Sequence, residues 1–419
     1  MSISVPATPG RNLIALEWLQ FGLGRLVAAA AQAGLTVHLL TGDRGEYAHE
    51  LARIDADSPH LVVHDVDTYD AAQVVAAAQA IGDLAGLLST TDTWSLVAQA
   101  ARERLGLPGQ APEAVRLVRD KARLRRRLFE HGLSRSAGST VTNADDAATL
   151  ASRVGLPLIV KDSSGTSSEH VWLARTPDEL TGVLAEMRSR TLRGTPAAEP
   201  YFPGPLYSVE TLTWQGRTRV IGLNSRIMSA PPAFREEALA FPVQLPERAR
   251  VEVEQWIEQV LKTVGYDEGF AHTEFIMGDD GFEVVEINPR LGGALVGEAI
   301  SRAFDINVYA AFVDLALRRR PALLDAPLVP RRGVAQILLY PPRPGVHLGC
   351  DGTESFAAHP GGPTLHSCLA PGTRVRTVTN QDGCVAVLLA TGATSETALQ
   401  NALSAAGELR IRTEGDEDV

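Results

Sequence analysis

The sequence has few cysteines, no excess of basic residues and no long apolar run, and each shortage excludes a class of protein. Three cysteines without close spacing argue against a disulfide framework or a zinc knuckle. The 39 Lys and Arg residues are outnumbered by 50 Asp and Glu residues, and the formal charge of -11 argues against a nucleic-acid partner. No run approaches the roughly 20 apolar residues that span a bilayer, so no membrane partner is expected.

The N-terminal stretch MSISVPATPG lacks the charged and apolar regions of a signal peptide, which predicts a cytoplasmic location with reduced cysteines. A length of 419 residues suggests two or three domains, and 45% apolar with 21% charged content is typical of a globular protein. His347 near Cys350 and His366 near Cys368 are a minor alternative as metal ligands, because both pairs lie in Gly- and Pro-rich sequence without a paired repeat.

The first hundred residues alternate apolar runs with helical stretches, which predicts an α/β domain of parallel strands and crossover helices. Gly22 and Gly24 follow the first strand. They leave two alternatives, a dinucleotide-binding turn or a tight turn with close helix packing, because the glycine fingerprint is incomplete. Residues 112 to 131 form one helical pattern, and a solvated face is predicted for its arginines, Arg123, Arg125, Arg126 and Arg127.

A small-residue loop lies between two predicted strands in residues 156 to 174. Lys161 ends the first strand, and Ser163, Gly165 and Ser167 lie in the loop that follows. A loop of this composition can fold over phosphates while the lysine neutralises them. The alternative is a flexible hairpin turn.

Residues 272 to 290 carry many polar side chains for two apolar strands joined by a turn. A three-residue loop at 279 to 281, with Gly281 in the left-handed region, makes polar residues pair with polar residues. The predicted pairs are Gly278 with Phe282, Glu274 with Glu286, and His272 with Asn288. One face is then mostly apolar (Thr273, Phe275, Met277, Val285 and Ile287), and the other carries the polar residues, with Ile276, Phe282 and Val284 near the turn.

This register places two carboxylates, Glu274 and Glu286, directly opposite each other, where they repel unless a positive charge lies between them. Together with Asn288 they form an all-oxygen set, which suits magnesium or manganese rather than zinc. The alternative is a solvent-exposed hairpin end whose charges face water.

Five segments in this order, RDKARLRRRL, LPLIVKDSSGTSSEHV, EPYFPGPLYSVE, HTEF and EVVEINPRLGG, resemble the ATP-grasp superfamily of carboxylate–amine ligases. The motifs SVE, HTEF and NPRLGG are most similar to those of L-amino-acid ligases that make dipeptides. The resemblance implies an α/β fold, α+β in its ATP-binding part. The implied parts are an N-terminal parallel-sheet domain (1–115), a small mobile lid (116–205), a large subdomain with the metal site (206–330) and a C-terminal lobe (331–419).

The resemblance also implies a nucleotide site. Lys121 and Lys161 match the two lysines that hold the phosphates of ATP, and Lys161 is also expected to act in catalysis. Glu199 and Phe202 match hinge positions that meet the adenine, Phe202 through its backbone. The lid loop that closes over the phosphates is matched by the segment with Ser163, Gly165 and Ser167.

For the metal, the resemblance implies that Glu274, Glu286 and Asn288 hold two Mg²⁺ ions, with Mn²⁺ as an alternative. Arg290 matches the arginine that stabilises the transferring phosphoryl group. Many relatives carry an acidic residue for the ribose at the position of Leu206, so here that contact is expected through water or Glu210. Arg290 is followed by Leu-Gly-Gly-Ala rather than Gln-Val-Glu, which argues against biotin carboxylation.

The substrate pocket is expected around residues 224 to 242. Arg226 and Arg235 are candidates for gripping a substrate carboxylate, against ordinary surface pairing. Gly292 and Gly293 allow a substrate to approach the backbone beside Arg290, or they cap the next helix.

The expected activity is ATP-dependent coupling of a small acid or amino acid to an amine through an acyl phosphate, with ADP and phosphate released. The partners are then two small molecules, an acid and an amine, and a homodimer is expected because similar ligases often form one. The rivals are an ATP-grasp enzyme of nucleotide biosynthesis acting on a phosphorylated ribosyl substrate, a non-catalytic nucleotide-binding module and, remotely, a nicotinamide oxidoreductase.

Overall fold

The computed structural model describes residues 11–18, 20–231 and 233–414. It begins with a parallel sheet in the strand order β3-β2-β1-β4, which confirms the predicted N-terminal α/β domain. The elements of this domain are β1 (Asn12–Leu16), α1 (Leu23–Gln32), β2 (Thr36–Thr41), α2 (Ala48–Leu51), β3 (Leu61–Asp65), α3 (Ala71–Ile81), β4 (Leu84–Leu88) and α4 (Ser95–Leu105).

Gly22 precedes α1 with φ of 92°, a backbone conformation that favours glycine. A Cβ at this position would lie 2.1 Å from the hydroxyl of Tyr309. The tight turn with close packing is therefore the alternative that fits Gly22.

The single helix predicted over residues 112 to 131 is wrong, because the chain forms two helices, α5 (Pro112–Val118) and α6 (Lys121–Glu130). Asp120 lies between them in an extended conformation, and its carboxylate accepts hydrogen bonds from the backbone N–H groups of Ala122 and Arg123. This N-cap restarts the helix at Lys121 and fixes that lysine in the first turn.

The next region is a four-stranded antiparallel sheet in the order β5-β8-β6-β7 with two helices. Leu150, Leu180 and Leu184 of the helices pack on Leu158 and Val160 of the sheet. The elements are β5 (Ser139–Thr140), α7 (Ala147–Val154), β6 (Leu158–Asp162), β7 (Val171–Ala174), α8 (Pro177–Ser189) and β8 (Pro196–Pro200).

An eight-stranded antiparallel sheet in the order β13-β12-β9-β10-β11-β14-β18-β16 forms the centre of the molecule. The elements up to residue 330 are β9 (Leu206–Trp214), β10 (Arg217–Met228), β11 (Glu236–Phe241), α9 (Glu247–Thr263), β12 (Gly269–Gly278), β13 (Gly281–Asn288), α10 (Val296–Phe304) and α11 (Ala310–Ala316). Those after it are β14 (Gly333–Leu339), β15 (Gly345–Asp351), β16 (Thr364–Ser367), β17 (Arg374–Val375), β18 (Ala386–Gly392), α12 (Ser395–Gly407) and β19 (Arg410–Glu414).

The C-terminal segment shares this large sheet, since β14 pairs with β11 and β18 pairs with β14. Strands β17, β15 and β19 form a separate small sheet. The largest hydrophobic core joins residues of the N-terminal sheet, such as Leu13 and Leu39, to Leu239 and Val387 of the large sheet. The N-terminal domain and the large sheet, including its C-terminal strands, therefore share one hydrophobic core.

The hairpin of β12 and β13 has the predicted pairs at its open end, His272 with Asn288 and Glu274 with Glu286. Near the turn the prediction is wrong, because Gly278 pairs with Gly281 rather than Phe282. Gly281 has the expected left-handed backbone, with φ of 108°. The pairing register shifts by one residue between Glu274 and Phe275. Val285 is left without a partner in the ladder and forms a β-bulge.

The bulge also changes the predicted faces. Val284 pairs with Phe275, and both are buried in a core against which Phe282 packs. Val285 instead lines the same cavity as Glu286. Hence Phe282 and Val284 belong to the apolar face, and Val285 belongs to the face that carries the polar residues.

Among the described helices, none combines the length and the apolar character needed to cross a bilayer. The N-terminal stretch considered for a signal peptide, residues 1 to 10, lies outside the described residues.

Candidate active site

A cavity of about 420 Å³ lies between the four-stranded sheet and the eight-stranded sheet. We call it the nucleotide-side cavity. Six of the seven residues predicted to bind the nucleotide line it, namely Lys121, Lys161, Gly165, Ser167, Glu199 and Phe202, together with Leu206 and Val285. Ser163 is buried, and its carbonyl accepts a hydrogen bond from the backbone N–H of Lys121 at 3.0 Å. Ser163 therefore helps to fix the backbone of Lys121 rather than lining the cavity itself.

Lys161 is buried, and its Nζ lies 2.5 Å from Oε1 of Glu199. Burial lowers the pKa of the Lys161 ammonium, while the neighbouring Glu199 carboxylate opposes that shift. Burial raises the pKa of Glu199, but the cations of Arg125 and Lys161 together hold it below its ordinary value. Charged partners are thus held together at the inner end of the nucleotide-side cavity.

Arg125 is not on a solvated face, so that prediction is wrong for this residue, while Arg123, Arg126 and Arg127 are exposed as predicted. Arg125 donates to Glu199 at 3.1 Å and to Glu283 at 2.9 Å, both of which are buried. It lies four residues after Lys121 on α6, and that spacing puts both side chains on one face of the helix. This spacing was the available sequence signal.

The loop predicted as the lid is closed onto the rest of the site. Asp162 accepts hydrogen bonds from the backbone N–H groups of Ser164, Arg193 and Gly194 at 2.6 to 2.9 Å. The Lys121 ammonium donates to the Gly165 carbonyl at 2.6 Å.

The same loop reaches the C-terminal region. The carbonyl of Ser167 accepts a hydrogen bond of 3.3 Å from the backbone N–H of Gln381. Thr166, Ser167 and Gln381 line both the nucleotide-side cavity and the second cavity described below.

Glu274 and Glu286 lie on the boundary between two cavities and line both. Lys121 Nζ lies 3.0 Å from Oε2 of Glu286, and Asn288 donates to its other oxygen at 2.8 Å. Burial raises the pKa of Glu286, but the Lys121 ammonium holds it far below its ordinary value. Burial likewise raises the pKa of Glu274, and the Arg226 guanidinium outweighs it and lowers that pKa.

Two ionised carboxylates facing each other beside an amide oxygen fit a hard divalent cation. Within the described part of the chain, no group of three or more His, Cys, Asp or Glu residues could hold a metal ion. The oxygen set here therefore depends on counting Asn288 with Glu274 and Glu286. Among the described residues, the pairs at His347 and His366 likewise belong to no group of three such ligands.

A second cavity of about 320 Å³ lies on the other side of these carboxylates. We call it the acid-side cavity. Arg290 lines it and donates from Nε to Oδ1 of Asp92 at 3.0 Å, with a second contact between the same groups. Burial would lower the pKa of Arg290, but the Asp92 carboxylate raises it. Asp92 follows β4 at the carboxyl end of the parallel sheet, the usual position of ligand-binding residues in such sheets, and our sequence reasoning missed it.

Arg226 also lines both cavities, so the alternative of ordinary surface pairing is wrong for it. Its buried guanidinium lies 2.5 Å from Glu236 and in contact with Glu274. Arg235 lies outside the residues that line either cavity. It stacks on the ring of Tyr340 at 4.2 Å and donates to the carbonyl of Val378, a placement that does not favour substrate binding.

His272 lies between two carboxylates, 2.5 Å from Glu210 and 3.3 Å from Glu274. Burial lowers the pKa of His272, but the Glu210 carboxylate outweighs it and raises the pKa to about 9. Glu210 is fully buried and also accepts from the backbone N–H of Gly292 at 2.9 Å. The expected ribose contact through Glu210 is therefore wrong, since its carboxylate is used beneath the other cavity.

The two glycines after Arg290 do not cap a helix, because α10 begins at Val296. A Cβ on Gly292 would lie 2.9 Å from Nδ1 of His272, so this position requires close approach of the backbone. Gly293 lines the acid-side cavity.

Two family models match separate parts of the chain. A family model for the ATP-grasp domain matches residues 154–298, and one for the L-amino acid ligase C-terminal domain 2 matches residues 337–414. Carnosine synthase 1 of Gallus gallus is 25% identical over 334 residues, which cover 74% of this chain and 35% of that protein. The chain spans less than two thirds of the length of the curated relatives it matches first.

Solved structures share the fold. The L-amino acid ligase from Bacillus licheniformis superimposes with a TM-score of 0.81 at 20% identity, over 97% of this chain and 100% of that one. Phosphoribosylglycinamide synthetase from Anaerococcus prevotii gives 0.73 at 14% identity, over 96% and 100%. Residues 154–298 thus match an ATP-grasp domain, and residues 337–414, which follow it, match the C-terminal domain 2 of L-amino acid ligases.

Proposed function

We propose that this protein is an ATP-dependent ligase that activates an amino acid or similar small acid as an acyl phosphate and couples it to an amine. The observation that carries the proposal is the shared wall between the two cavities. Glu274 and Glu286 line both sides, with Lys121 and Lys161 on one side and Arg290 on the other. A phosphoryl group bound at this wall is in reach of both an ATP site and an acid site.

The chemistry needs such a wall because a carboxylate does not condense with an amine in neutral water. A carboxylate oxygen attacks the γ-phosphorus of ATP, the bond to ADP breaks, and an acyl phosphate forms. The amine nitrogen then attacks the acyl carbon, the carbon–oxygen bond to phosphate breaks, and the amine loses a proton. The products are an amide, ADP and phosphate.

The chain's own residues supply position and charge for these steps. Lys121 and Lys161 would hold phosphate oxygens, and Arg290 would stabilise the negative charge of the moving phosphoryl group. Mg²⁺ held by Glu274, Glu286 and Asn288 would neutralise the phosphates, and two ions or Mn²⁺ fit the same oxygen set. The loop around Ser167 would exclude water, which otherwise hydrolyses the acyl phosphate.

Replacement of Glu286 tests the proposal most directly. We expect Glu286→Ala to abolish ADP formation, because it removes an oxygen ligand from the shared wall. Asp279→Ala is the matched control, since Asp279 is an exposed carboxylate on the same hairpin. Circular dichroism should give the same spectrum for both variants. Retained turnover in a folded Glu286→Ala protein would contradict the assignment.

A second candidate is an ATP-grasp enzyme of nucleotide biosynthesis, which the fold shared with phosphoribosylglycinamide synthetase supports. Phosphate release in the presence of free amino acids, compared with a ribosyl phosphate amine, separates the two functions. Tight ATP binding without turnover on any acid and amine would instead favour a non-catalytic module. A homodimer and a cytoplasmic location stay predictions, and light scattering would test the first.

A further inference from the structure

The acid-side cavity has a charged end and an apolar end, and this division follows the order of strands in the large sheet. Arg226 on β10 lies opposite Leu239 on β11, which lies opposite Gln336 on β14. Leu338, two residues after Gln336, therefore faces the same side and pairs with Val387 on β18. The sheet face changes from carboxylates at β12 and β13 to aliphatic side chains at β11, β14 and β18.

The apolar end is a recess in the main hydrophobic core. Leu239, Leu338 and Val387 are each less than a tenth exposed and belong to that core. Cys384, also buried, and Cys368, partly buried, add two thiols 4.0 Å apart to the same wall.

The charged residue nearest to this recess in the sheet is Arg226, which lies opposite Leu239. Its guanidinium lies 2.5 Å from Glu236 and also contacts Glu274, so its charge is compensated within the wall. A charged substrate group in the recess would lose its hydration without an opposite charge to meet it, and such burial is costly. For a methyl or methylene group, Leu239, Leu338 and Val387 offer carbon, and Cys368 and Cys384 offer sulfur.

The volume of about 320 Å³ lies at the small end of the roughly 300–1,000 Å³ typical of small-molecule sites, so one small molecule fits. We propose that the acid substrate is an α-amino acid with an apolar side chain. Its carboxylate lies at the end with Glu274, Glu286 and Arg290, and its side chain packs on Leu239, Leu338 and Val387. This inference rests on the proposed ligase function, and it adds the class of the acid.

When hydroxylamine replaces the amine substrate, the assay measures specificity for the acid alone. Hydroxylamine converts an acyl phosphate into a hydroxamate without an amine-binding site. Leucine and aspartate form the matched substrate pair, since they have similar shape and differ in charge. We expect kcat/KM for hydroxamate formation to be at least about 100-fold higher for leucine than for aspartate or lysine. Leucine should also exceed alanine, because a methylene in an apolar pocket changes kcat/KM roughly 10-fold or more.

A variant that fills the recess tests its location. Cys368→Met adds volume at the partly buried wall, and Cys350→Met is the matched control, since Cys350 is also partly buried but does not line the cavity. We expect Cys368→Met to lower the leucine-to-alanine ratio at least about 10-fold and Cys350→Met to leave it unchanged. An equal ratio in both variants would overturn the placement of the side chain.

The experiment gives different results if the apolar class of the acid is wrong and if the ligase function itself is wrong. Hydroxamate formed from aspartate or lysine as readily as from leucine overturns the apolar class while supporting the ligase. If no acid gives hydroxamate, the ligase function fails, and calorimetry of wild-type protein with Mg²⁺ and a non-hydrolysable ATP analogue decides the site. Tighter binding of leucine than of aspartate then retains the apolar recess, and equal or weaker binding rejects it.

Discussion

The two cavities on either side of Glu274 and Glu286 are built differently. The nucleotide-side cavity takes nearly all of its walls from the four-stranded sheet, α6 and one end of the large sheet. The acid-side cavity combines Asp92 from the N-terminal domain, Arg226 from the large sheet, and Leu338 and Val387 from the C-terminal strands. Among the described residues, the nucleotide-side cavity is therefore lined by one stretch of the chain, residues 121 to 286, with only Gln381 from beyond it, whereas the acid-side cavity requires the assembly of three parts of the chain.

The largest expected effect concerns the frame of the nucleotide-side cavity. Arg125→Met leaves the buried carboxylates of Glu199 and Glu283 without this cation, and breaking a buried pair typically costs roughly 3–5 kcal/mol. Arg126→Met on the same helix is the control, because Arg126 is exposed and such changes usually stay within about 0.5 kcal/mol. Urea unfolding measures both. Equal free energies of unfolding for the two variants would show that the ion pairs of Arg125 do not stabilise the fold.

Next in size is a variant that affects the acid-side cavity alone. Arg290→Met removes a charged donor that faces the shared wall, and we expect kcat for ADP formation to fall about 10²–10³-fold. Lys121 and Lys161 are untouched, so the affinity for ATP should change little. Fluorescence titration with an ATP analogue, beside steady-state kinetics, separates the two quantities. A large loss of ATP affinity in Arg290→Met would contradict the proposed division between the cavities.

This division also explains how much could be predicted from the sequence. Lys121, Lys161, Glu274 and Glu286 lie in short motifs whose local spacing brings them to the site, and the parallel N-terminal sheet follows from alternation. Asp92 meets Arg290 only through packing of regions 198 residues apart, which no local pattern encodes. The bulge at Val285 was missed for another reason, because a turn or a bulge can absorb the same extra residue.

A pH test addresses how the N-terminal domain is attached. Glu298 on α10 pairs with Arg25 on α1 at 2.5 Å. Burial raises the pKa of Glu298, but Arg25 and Arg302 outweigh it and lower the pKa to about 2. A carboxylate with a depressed pKa contributes stability above its unfolded pKa of 4.5, and that stability is lost as the pH falls towards 2.

We therefore expect wild type to lose more stability between pH 5 and pH 3 than Glu298→Gln, by about 1–2 kcal/mol in urea unfolding. Glu258→Gln is the control, because Glu258 is exposed on α9. Parallel pH profiles of wild type and Glu298→Gln would mean that this pair does not help attach the domain.

The smallest expected effect concerns a contact between two residues that line both cavities, the hydrogen bond from the Gln381 N–H to the Ser167 carbonyl. Gln381 is the first residue of a 3-10 turn and follows an extended Asn380, so proline fits its backbone and removes only the N–H and the side chain. Gln381→Ala removes the side chain and keeps the N–H. A hydrogen bond contributes about 0.5–1.5 kcal/mol, so Gln381→Pro should raise the KM for ATP and for the acid together by roughly 2- to 13-fold relative to Gln381→Ala. A rise in only one of the two KM values would show that the lid serves one cavity, and the two sides would then close independently.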